Sequence, residues 1–207
     1  MTSVSVDIVG LEAARLSIQT LPELSARAAS LAINRVATQS GMALARDTIM
    51  DQIAFPKDYL KGDRLMVSQL ARPDNLVALI RARKRATSLA RFATSGAINV
   101  SGVSVQVAKG RTEFLRRAFL VKLKRGASFD EDNYNVGLAV RIKAGERITD
   151  KRTTHRSWLE GDADKGGLAL LYGPSVDQVF REVADRIEPG ILDLLADEFF
   201  RQLDRIS

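Results

Sequence analysis

Residues 23–54 constrain the fold more than any other part of the 207-residue chain. They include no proline and only one glycine, Gly41, and residues that favour helices dominate the stretch. A helix of roughly 30 residues would extend about 45 Å at 1.5 Å per residue. Its apolar residues recur at three- and four-residue steps, which predicts one side packed against a sheet or another subunit. These residues are Leu24, Ala28, Leu31, Ala32, Val36, Ala43 and Met50.

Both ends of this helix carry boundary signals. Thr20-Leu21-Pro22-Glu23 has the form of a capping box, in which the Thr hydroxyl and the Glu carboxylate accept hydrogen bonds from unpaired backbone donors. Phe55-Pro56 ends the helix, because a residue before proline disfavours the helical conformation. Upstream, residues 4–9 alternate with period two and predict a short strand, and Leu11 starts a further helical segment. Residues 1–54 are therefore predicted to form an N-terminal strand and a long helix.

Residues 55–172 form a β-rich central part. Alternation is clearest in residues 103–107, and five further runs predict strands: 65–71, 76–82, 98–100, 119–124 and 136–142. The apolar run 168–172, at the end of this part, is suited to a buried strand. Their connections are too short for crossover helices, so we expect one mainly antiparallel sheet of about five or six strands with helices on one face. Two polar stretches, 126–133 and 144–167, are predicted to be loops.

Residues 173–207 are predicted to form two helices. Ser175 follows the turn Gly173-Pro174 and can cap the first helix, with Gln178 as the reciprocal capping-box residue. Pro189-Gly190 predicts a break, after which an apolar stripe marks the second helix. The predicted fold is a single α+β domain, 1–207, with a long N-terminal helix and two C-terminal helices packed on the sheet.

Charge is segregated along the chain. Residues 77–125 hold twelve basic residues and one acid, whereas residues 157–207 hold eleven acids and five bases. This asymmetry indicates either a basic face for a polyanion or two oppositely charged faces that meet between copies of the chain. The predicted basic surface, facing another subunit or DNA, is formed by Arg81, Arg83, Lys84, Arg85, Arg116, Arg117, Lys122, Lys124 and Arg125.

Composition excludes several classes of site. With no cysteine and a single histidine, His155, the chain cannot build disulfides, zinc fingers, iron–sulfur clusters or pairs of imidazole ligands. Nucleotide-binding glycine loops and the common catalytic motifs do not occur, so we expect no enzyme activity, no catalytic residue, no cofactor and no metal. The acidic cluster Asp130-Glu131-Asp132-Asn133 is expected to be a solvated loop. Long apolar runs and a signal peptide do not occur either, so we expect no membrane partner.

Several short motifs stand in a particular order along the chain. Ala32-Ile33-Asn34-Arg35 lies on the predicted long helix, and Lys57-Asp58-Tyr59-Leu60-Lys61 precedes the first core strand. The others follow in sequence: Arg91-Phe92, Gly102-Val103, Ala118-Phe119, Val140-Arg141 and Tyr172-Gly173-Pro174-Ser175-Val176. From about Ala28 to Val183, this set resembles the bacteriophage minor tail protein Z family, the tail completion proteins of long-tailed phages. The stretch 144–167 is longer and more polar than the family's usual segment.

The resemblance implies a virion structural protein that completes the head-proximal end of the tail for joining to the head. It implies a homo-oligomeric ring around the DNA passage, a hexamer to match tail symmetry, with tail terminator, tail tube and head–tail connector proteins as neighbours and nonspecific contact with DNA in the lumen. The implied location is the tail or neck of the virion, and the host cytoplasm during assembly. The family-motif residues are expected to be structural: Asn34, Arg35, Phe92, Phe119, Arg141, Gly173, Pro174 and Ser175.

Two other functions remain open from the sequence. The basic segment 77–125 could bind nucleic acid nonspecifically through phosphates, although the chain has few aromatic residues with which to stack bases. A hydrolase would need Ser175 and His155 to meet in space.

Overall fold

The computed structural model describes residues 22–123, 135–146, 155–162 and 166–206. The strand predicted at residues 4–9, the helical segment from Leu11, the first two residues of the capping box and the loop 126–133 lie outside the described residues. Lys124 and Arg125 of the predicted basic surface also lie outside them. Within the described part, the chain is α+β, with helices and antiparallel sheets.

The long N-terminal helix is interrupted at one residue, Gln39. Helix α1 spans Pro22–Thr38 and helix α2 spans Ser40–Gln52. The Gln39 N–H donates to the Arg35 carbonyl at 2.9 Å, and the Ala43 N–H donates to the Gln39 carbonyl at 2.8 Å. Backbone hydrogen bonding therefore crosses the interruption, and the predicted long helix is present with one local irregularity.

The C-terminal region forms one helix where two were predicted. Helix α3 spans Val176–Ile206 and includes Pro189. Proline removes one backbone donor from a helix and is costly there, but the apolar residues on both sides of it are buried. Val179, Val183 and Ile187 precede Pro189, and Phe199 follows it. Burial of apolar residues before and after Pro189 outweighs the local helix breaker, so the prediction of two C-terminal helices is wrong.

Ten strands form three sheets in the described part of the chain, and the prediction of a single sheet of five or six strands is also wrong. The strands are β1 (Leu65–Gln69), β2 (Leu79–Ala82), β3 (Thr87–Ser88), β4 (Ala93–Ser95), β5 (Val103–Val105), β6 (Glu113–Leu115), β7 (Ala118–Leu123), β8 (Asn135–Ile142), β9 (His155–Asp162) and β10 (Gly166–Gly173). The physical reason is strand length and pairing: β1 and β2 pair only with each other, and the short strands β4, β5 and β6 form a separate sheet. The ladders between these ten strands are antiparallel, which agrees with the predicted mainly antiparallel pairing, and an isolated bridge between Ile98 and Leu120 is parallel.

The described residues divide into two compact units. The helical unit comprises residues 22–49, 60–84 and 176–206, and the sheet unit comprises residues 50–59 and the described residues of 85–175. In the helical unit, α3 packs against α1 around Ala28, Ala29, Ala32 and Phe199, with Leu76, Leu203 and Ile206 at the margin. The prediction of one domain across 1–207 stays a prediction.

Strand β10 organises the sheet unit. It pairs with β9 along most of its length, with β8 through residues 167–170 and with β3 through residues 172–173, and β8 in turn pairs with β7. Phe119, Val121, Ala139 and Leu170 form the core of this sheet. The structure places β9 inside the polar stretch 144–167, which the sequence predicts as a loop. Pairing to β10 satisfies the backbone donors and acceptors on one edge of β9, and this pairing does not require an apolar sequence.

Candidate functional site

Asn34 on helix α1 forms hydrogen bonds with the connection between β1 and β2. Its Nδ2 donates to the Ala71 carbonyl oxygen at 2.9 Å, and its Oδ1 accepts from the Ala71 N–H at 2.7 Å. Ala71 is buried, so its backbone groups need partners within the protein. Asn34 therefore supplies both hydrogen bonds that the backbone of Ala71 needs.

The neighbouring motif residue, Arg35, lies beside a buried acid of α3. Its Nε is 3.6 Å from Oε1 of Glu198, whose side chain is only 3% exposed. Arg201 and Gln202, one turn further along α3, donate hydrogen bonds to the Glu198 carboxylate. A buried carboxylate requires such partners, because desolvation of an unpaired charge is costly. Glu198 thus joins α1 to α3 through its ion pair with Arg35, while its hydrogen bonds stay within α3.

Phe92 and Gly173 belong to separate sequence motifs and contact each other in the sheet unit. A Cβ on Gly173 would lie 3.0 Å from Cε2 of Phe92, so glycine permits a close approach of β10 to this ring. Phe92 is buried, and its ring centroid lies 5.5 Å from that of Phe55. The preceding residue, Arg91, places its guanidinium 5.5 Å from the centroid of Tyr59, in a third motif. Three motifs that are distant in sequence therefore meet around one aromatic cluster.

Two further motifs meet on adjacent strands. Ala118 of β7 is paired with Val140 of β8. The guanidinium of Arg141 lies 5.4 Å from the ring centroid of Phe119, within the range of a cation–π interaction. Phe119 itself is buried. This pairing covers the Phe119 ring with the Arg141 side chain.

Pro174 and Ser175 form the entry to helix α3. The Pro174 carbonyl accepts from the Thr87 N–H at 3.4 Å, and the buried Ser175 directly precedes the first helical residue. Ser175 therefore occupies the position of the predicted cap. The side chain of His155 lies outside the described residues, so a meeting of Ser175 and His155 stays a prediction.

The predicted basic residues are distributed over both units. In the helical unit, Arg81 is exposed on β2, and the half-buried Arg83 and exposed Lys84 follow that strand. The sheet unit carries Arg85, the Arg116-Arg117 turn between β6 and β7, and Lys122 on β7. The side chains of Arg81, Lys84, Arg85 and Arg116 make no hydrogen bond or ion pair with any other described residue. These four cations are available to an external partner.

Arg117 differs from those four residues, because it is held by an acid of its own chain. Both Nη atoms of Arg117 donate to the Glu146 carboxylate, and Nη2 also donates to the Arg141 carbonyl at 2.9 Å. Hydrogen bonding from Arg117, followed by that from the Lys143 N–H at 2.9 Å, lowers the pKa of Glu146 from 4.5 to about 2. The same hydrogen bond raises the pKa of Arg117. Arg117 is thus less suited to an external anion than the prediction assumed.

Other bases of the segment 77–125 also have partners within the chain. Lys109 Nζ lies 2.6 Å from Asp51 Oδ1, and Arg111 Nε lies 3.4 Å from Glu113 Oε1. The Arg91 guanidinium lies against Tyr59, as described above. The strongly basic segment in the sequence is therefore only partly a basic surface in the fold.

Exposed apolar residues occur in both units. In the helical unit they are Leu31, Met66, Leu70, Val77 and Phe200, and in the sheet unit they are Val100 and Phe114. Phe114 lies over Gly102, where an added Cβ would be 2.9 Å from Cζ of the ring. Phe200 makes an edge-on contact with the buried Phe199 at 5.6 Å between centroids. Exposed aromatic side chains of this kind are frequent in protein interfaces.

The described residues form neither a metal site nor a membrane-spanning helix. Among the described residues, no group of three or more His, Asp or Glu side chains is arranged to hold a metal ion. No helix in the same ranges combines the length and apolarity needed to cross a membrane. The acidic cluster at 130–133 lies outside the described residues.

Comparisons with known proteins give no match. No protein-family model matches the chain. Searches among curated proteins and among solved structures likewise find no match.

The sequence did not reveal the partners of the motif residues. Ala71, Glu198 and Glu146 lie 37, 163 and 29 residues from Asn34, Arg35 and Arg117, respectively. Of these three partners, only Glu198 has a sequence context that indicates a buried acid in need of a partner. It lies on the apolar stripe of α3, next to Phe199 and four residues before the buried Gln202.

Proposed function

We propose that this chain is a structural subunit of a phage tail or neck. In this role it completes the head-proximal end of the tail for joining to the head, as a homo-oligomeric ring, a hexamer if it matches the tail, around the DNA passage. Its neighbours would be the tail terminator, tail tube and head–tail connector proteins. The protein works by shape and charge complementarity, in the virion after assembly in the host cytoplasm.

The contacts between sequence motifs carry this proposal. Tyr59 meets Arg91, Phe92 meets Gly173, and Ala118 pairs with Val140, so residues that carry the family resemblance in sequence contact one another in space. Residues that define a shared fold are expected to make such contacts, because core packing and strand pairing fix the positions of the elements. This arrangement supports the resemblance beyond the order of its motifs.

The charge distribution supports an assembly role as well. Exposed bases without a partner in the described chain occur in both units, and α3 exposes Glu182, Asp185, Asp193, Asp197 and Asp204. Oppositely charged surfaces on one subunit favour association between copies and set their orientation. A ring requires such different but complementary surfaces on each copy.

Nonspecific binding of nucleic acid is the alternative function. It is favoured by the exposed Arg81, Lys84, Arg85 and Arg116, which are available to phosphates. It is weakened by the internal partners of Arg91, Lys109, Arg111 and Arg117. Phosphate-mediated affinity falls steeply with salt concentration, whereas an apolar subunit interface persists.

Mass spectrometry of purified particles tests the proposal. Particles from a lysate of the host that carries this gene are treated with nuclease and purified by density, and the ratio of this chain to the main tail protein is measured. A low, fixed ratio is expected for a ring subunit. If the chain is missing from the particles and binds nucleic acid with a steep salt dependence, the alternative function replaces the proposal.

A further inference from the structure

One side of helix α3 presents an aromatic residue between acids. Phe200 is 60% exposed, and Asp193, Asp197 and Asp204 are exposed at positions −7, −3 and +4 from it. Residues at these spacings lie along one side of a helix. None of the three carboxylates makes a hydrogen bond or ion pair with another residue in the described ranges. The stripe formed by these four residues is called the α3 stripe.

Helix α1 presents a stripe of the opposite charge. Leu31 is 40% exposed, and the exposed Arg27 and Arg35 lie four residues before and after it, on the same side of the helix. These three residues are called the α1 stripe. Arg35 contacts Glu198 with Nε, yet its side chain remains 48% exposed and can donate hydrogen bonds to a second carboxylate.

The connection between β1 and β2 enlarges the apolar part of the α1 stripe. Leu70 is 52% exposed, and Asn34 binds the adjacent residue, Ala71, one helical turn from Leu31. The exposed Arg72 follows. An apolar surface bordered by arginines therefore lies on α1, and an aromatic side chain bordered by aspartates lies on α3.

We propose that the α3 stripe of one copy docks on the α1 stripe of a second copy of this chain. Phe200 packs against Leu31 and Leu70, and the aspartates that flank it pair with Arg27 and Arg35. The occupant is a second copy because both charge patterns, and an apolar residue at the centre of each, occur on the same chain. Because the two stripes are different surfaces, the contact is head-to-tail, the type of contact that generates rings.

This inference rests on the proposed ring and assigns its interface. Each copy uses its α3 stripe toward one neighbour and its α1 stripe toward the other. Aromatic anchors near the centre of an interface contribute most of the binding free energy, whereas exposed ion pairs mainly select the partner and its orientation. Phe200 is therefore expected to determine affinity, and the charges are expected to determine specificity.

Sedimentation of the full-length chain tests the affinity. Phe200→Ser is expected to weaken self-association at least about tenfold. The matched control is Phe114→Ser, because Phe114 is 61% exposed and lies outside both stripes; it should associate like the unmodified chain. Asp197→Arg and Arg27→Asp should each weaken association, and the double variant should recover it.

Cross-linking tests the register of the contact independently of any loss of folding. Because the chain has no cysteine, Leu31→Cys and Phe200→Cys variants can be purified separately, mixed and oxidised. A disulfide joining the two variants is expected, whereas Leu31→Cys mixed with Phe114→Cys should give no comparable product. Equal cross-linking in both mixtures would overturn the interface.

The result can be separated from that of the proposed function. If the unmodified chain sediments as a monomer at every concentration, or if Phe200→Ser associates as the unmodified chain does, the interface is refuted. If the interface is refuted in this way but the unmodified chain is present in purified particles, the tail function stands without this interface. If the chain associates through Phe200 but is absent from purified particles, the interface is supported and the tail function is refuted.

Discussion

The side-chain amide of Asn34 both donates to and accepts from the backbone of Ala71, as a residue on a neighbouring β-strand would. This double hydrogen bond joins helix α1 to the β1–β2 connection across 37 residues of sequence. A residue with only a donor or only an acceptor could not reproduce it.

Asn34→Ala is expected to lower the free energy of unfolding by about 1–3 kcal/mol, because it leaves two buried backbone groups of Ala71 without partners. Urea denaturation measures the change. Asn75→Ala is the matched control, since Asn75 is exposed on the same connection and its side chain makes no hydrogen bond with the described residues. An equal loss in both variants would contradict the role of Asn34.

Gly41→Ala is expected to destabilise the protein by about 1–2 kcal/mol, although alanine is ordinarily the better helix former. An added Cβ would lie 2.7 Å from Cδ1 of Ile191 and 2.9 Å from the Val36 carbonyl oxygen, and a backbone atom cannot easily move away. Thermal unfolding of the two proteins provides the measurement.

Gly190→Ala is the control for that substitution. Its Cβ would meet only the end of the Leu44 side chain, at 2.9 Å, and this side chain can change rotamer. The expected change in unfolding free energy is within about 0.5 kcal/mol of zero or stabilising. If Gly41→Ala proves as harmless as Gly190→Ala, the close contact at Gly41 does not limit the helix packing.

The Arg117–Glu146 pair is expected to make stability depend on pH in acid. The pKa of Glu146 in the folded protein is about 2, below its ordinary value of 4.5. The charged form is favoured by folding, so the contribution of the pair is complete above pH 4.5 and is lost as the pH falls toward 2. A carboxyl NMR titration should show the low midpoint, and Arg117→Gln should raise it toward 4.5. A midpoint that does not respond to Arg117→Gln would assign the low pKa to another cause.

Reversal of Arg83, Lys84 and Arg85 to Glu is expected to block particle maturation without unfolding the subunit. Lys84 and Arg85 are exposed, and the described contacts of Arg83 are backbone hydrogen bonds to Arg64 and Asp177, which the substitution keeps. Electron microscopy and infectivity measure maturation, and circular dichroism measures folding.

The matched control reverses Arg91, Lys109 and Arg111 to Glu. This changes the net charge equally, in the same basic segment, but at side chains that contact Tyr59, Asp51 and Glu113. If the variant with Arg83, Lys84 and Arg85 reversed gives normal infectious particles, this basic surface has no role in assembly. A block of equal size in both folded variants would point to net charge and not to a particular surface.

Much of the secondary structure was predictable because it depends on local patterns. The alternation in residues 103–107 and 136–142 predicted β5 and β8, and helical periodicity predicted α1 to α3. Prediction failed at Pro189-Gly190, where local chemistry indicates a break and tertiary packing decides otherwise. Gly190 lies against Leu44, and buried residues on both sides of Pro189 keep one helix direction.

The candidate site was less predictable than the fold. Exposure of a charged side chain depends on partners brought close by folding, so the sequence could not separate Arg116, which has no described partner, from Arg117, which Glu146 holds. The prediction of a single sheet also failed because it depends on contacts made by folding. Alternation in β1 and β2 predicts strands but does not identify which strands pair.

The packing of α1 against α3 has a consequence for the order in which the protein folds during synthesis. These helices are far apart along the chain, so α1 leaves the ribosome long before Phe199 is made to cover Ala28, Ala29 and Ala32. The strands from β3 to β10 are complete before α3 is translated. Long-range contacts of this kind form late and slowly. A prematurely terminated chain that lacks α3 therefore cannot complete the core of the helical unit.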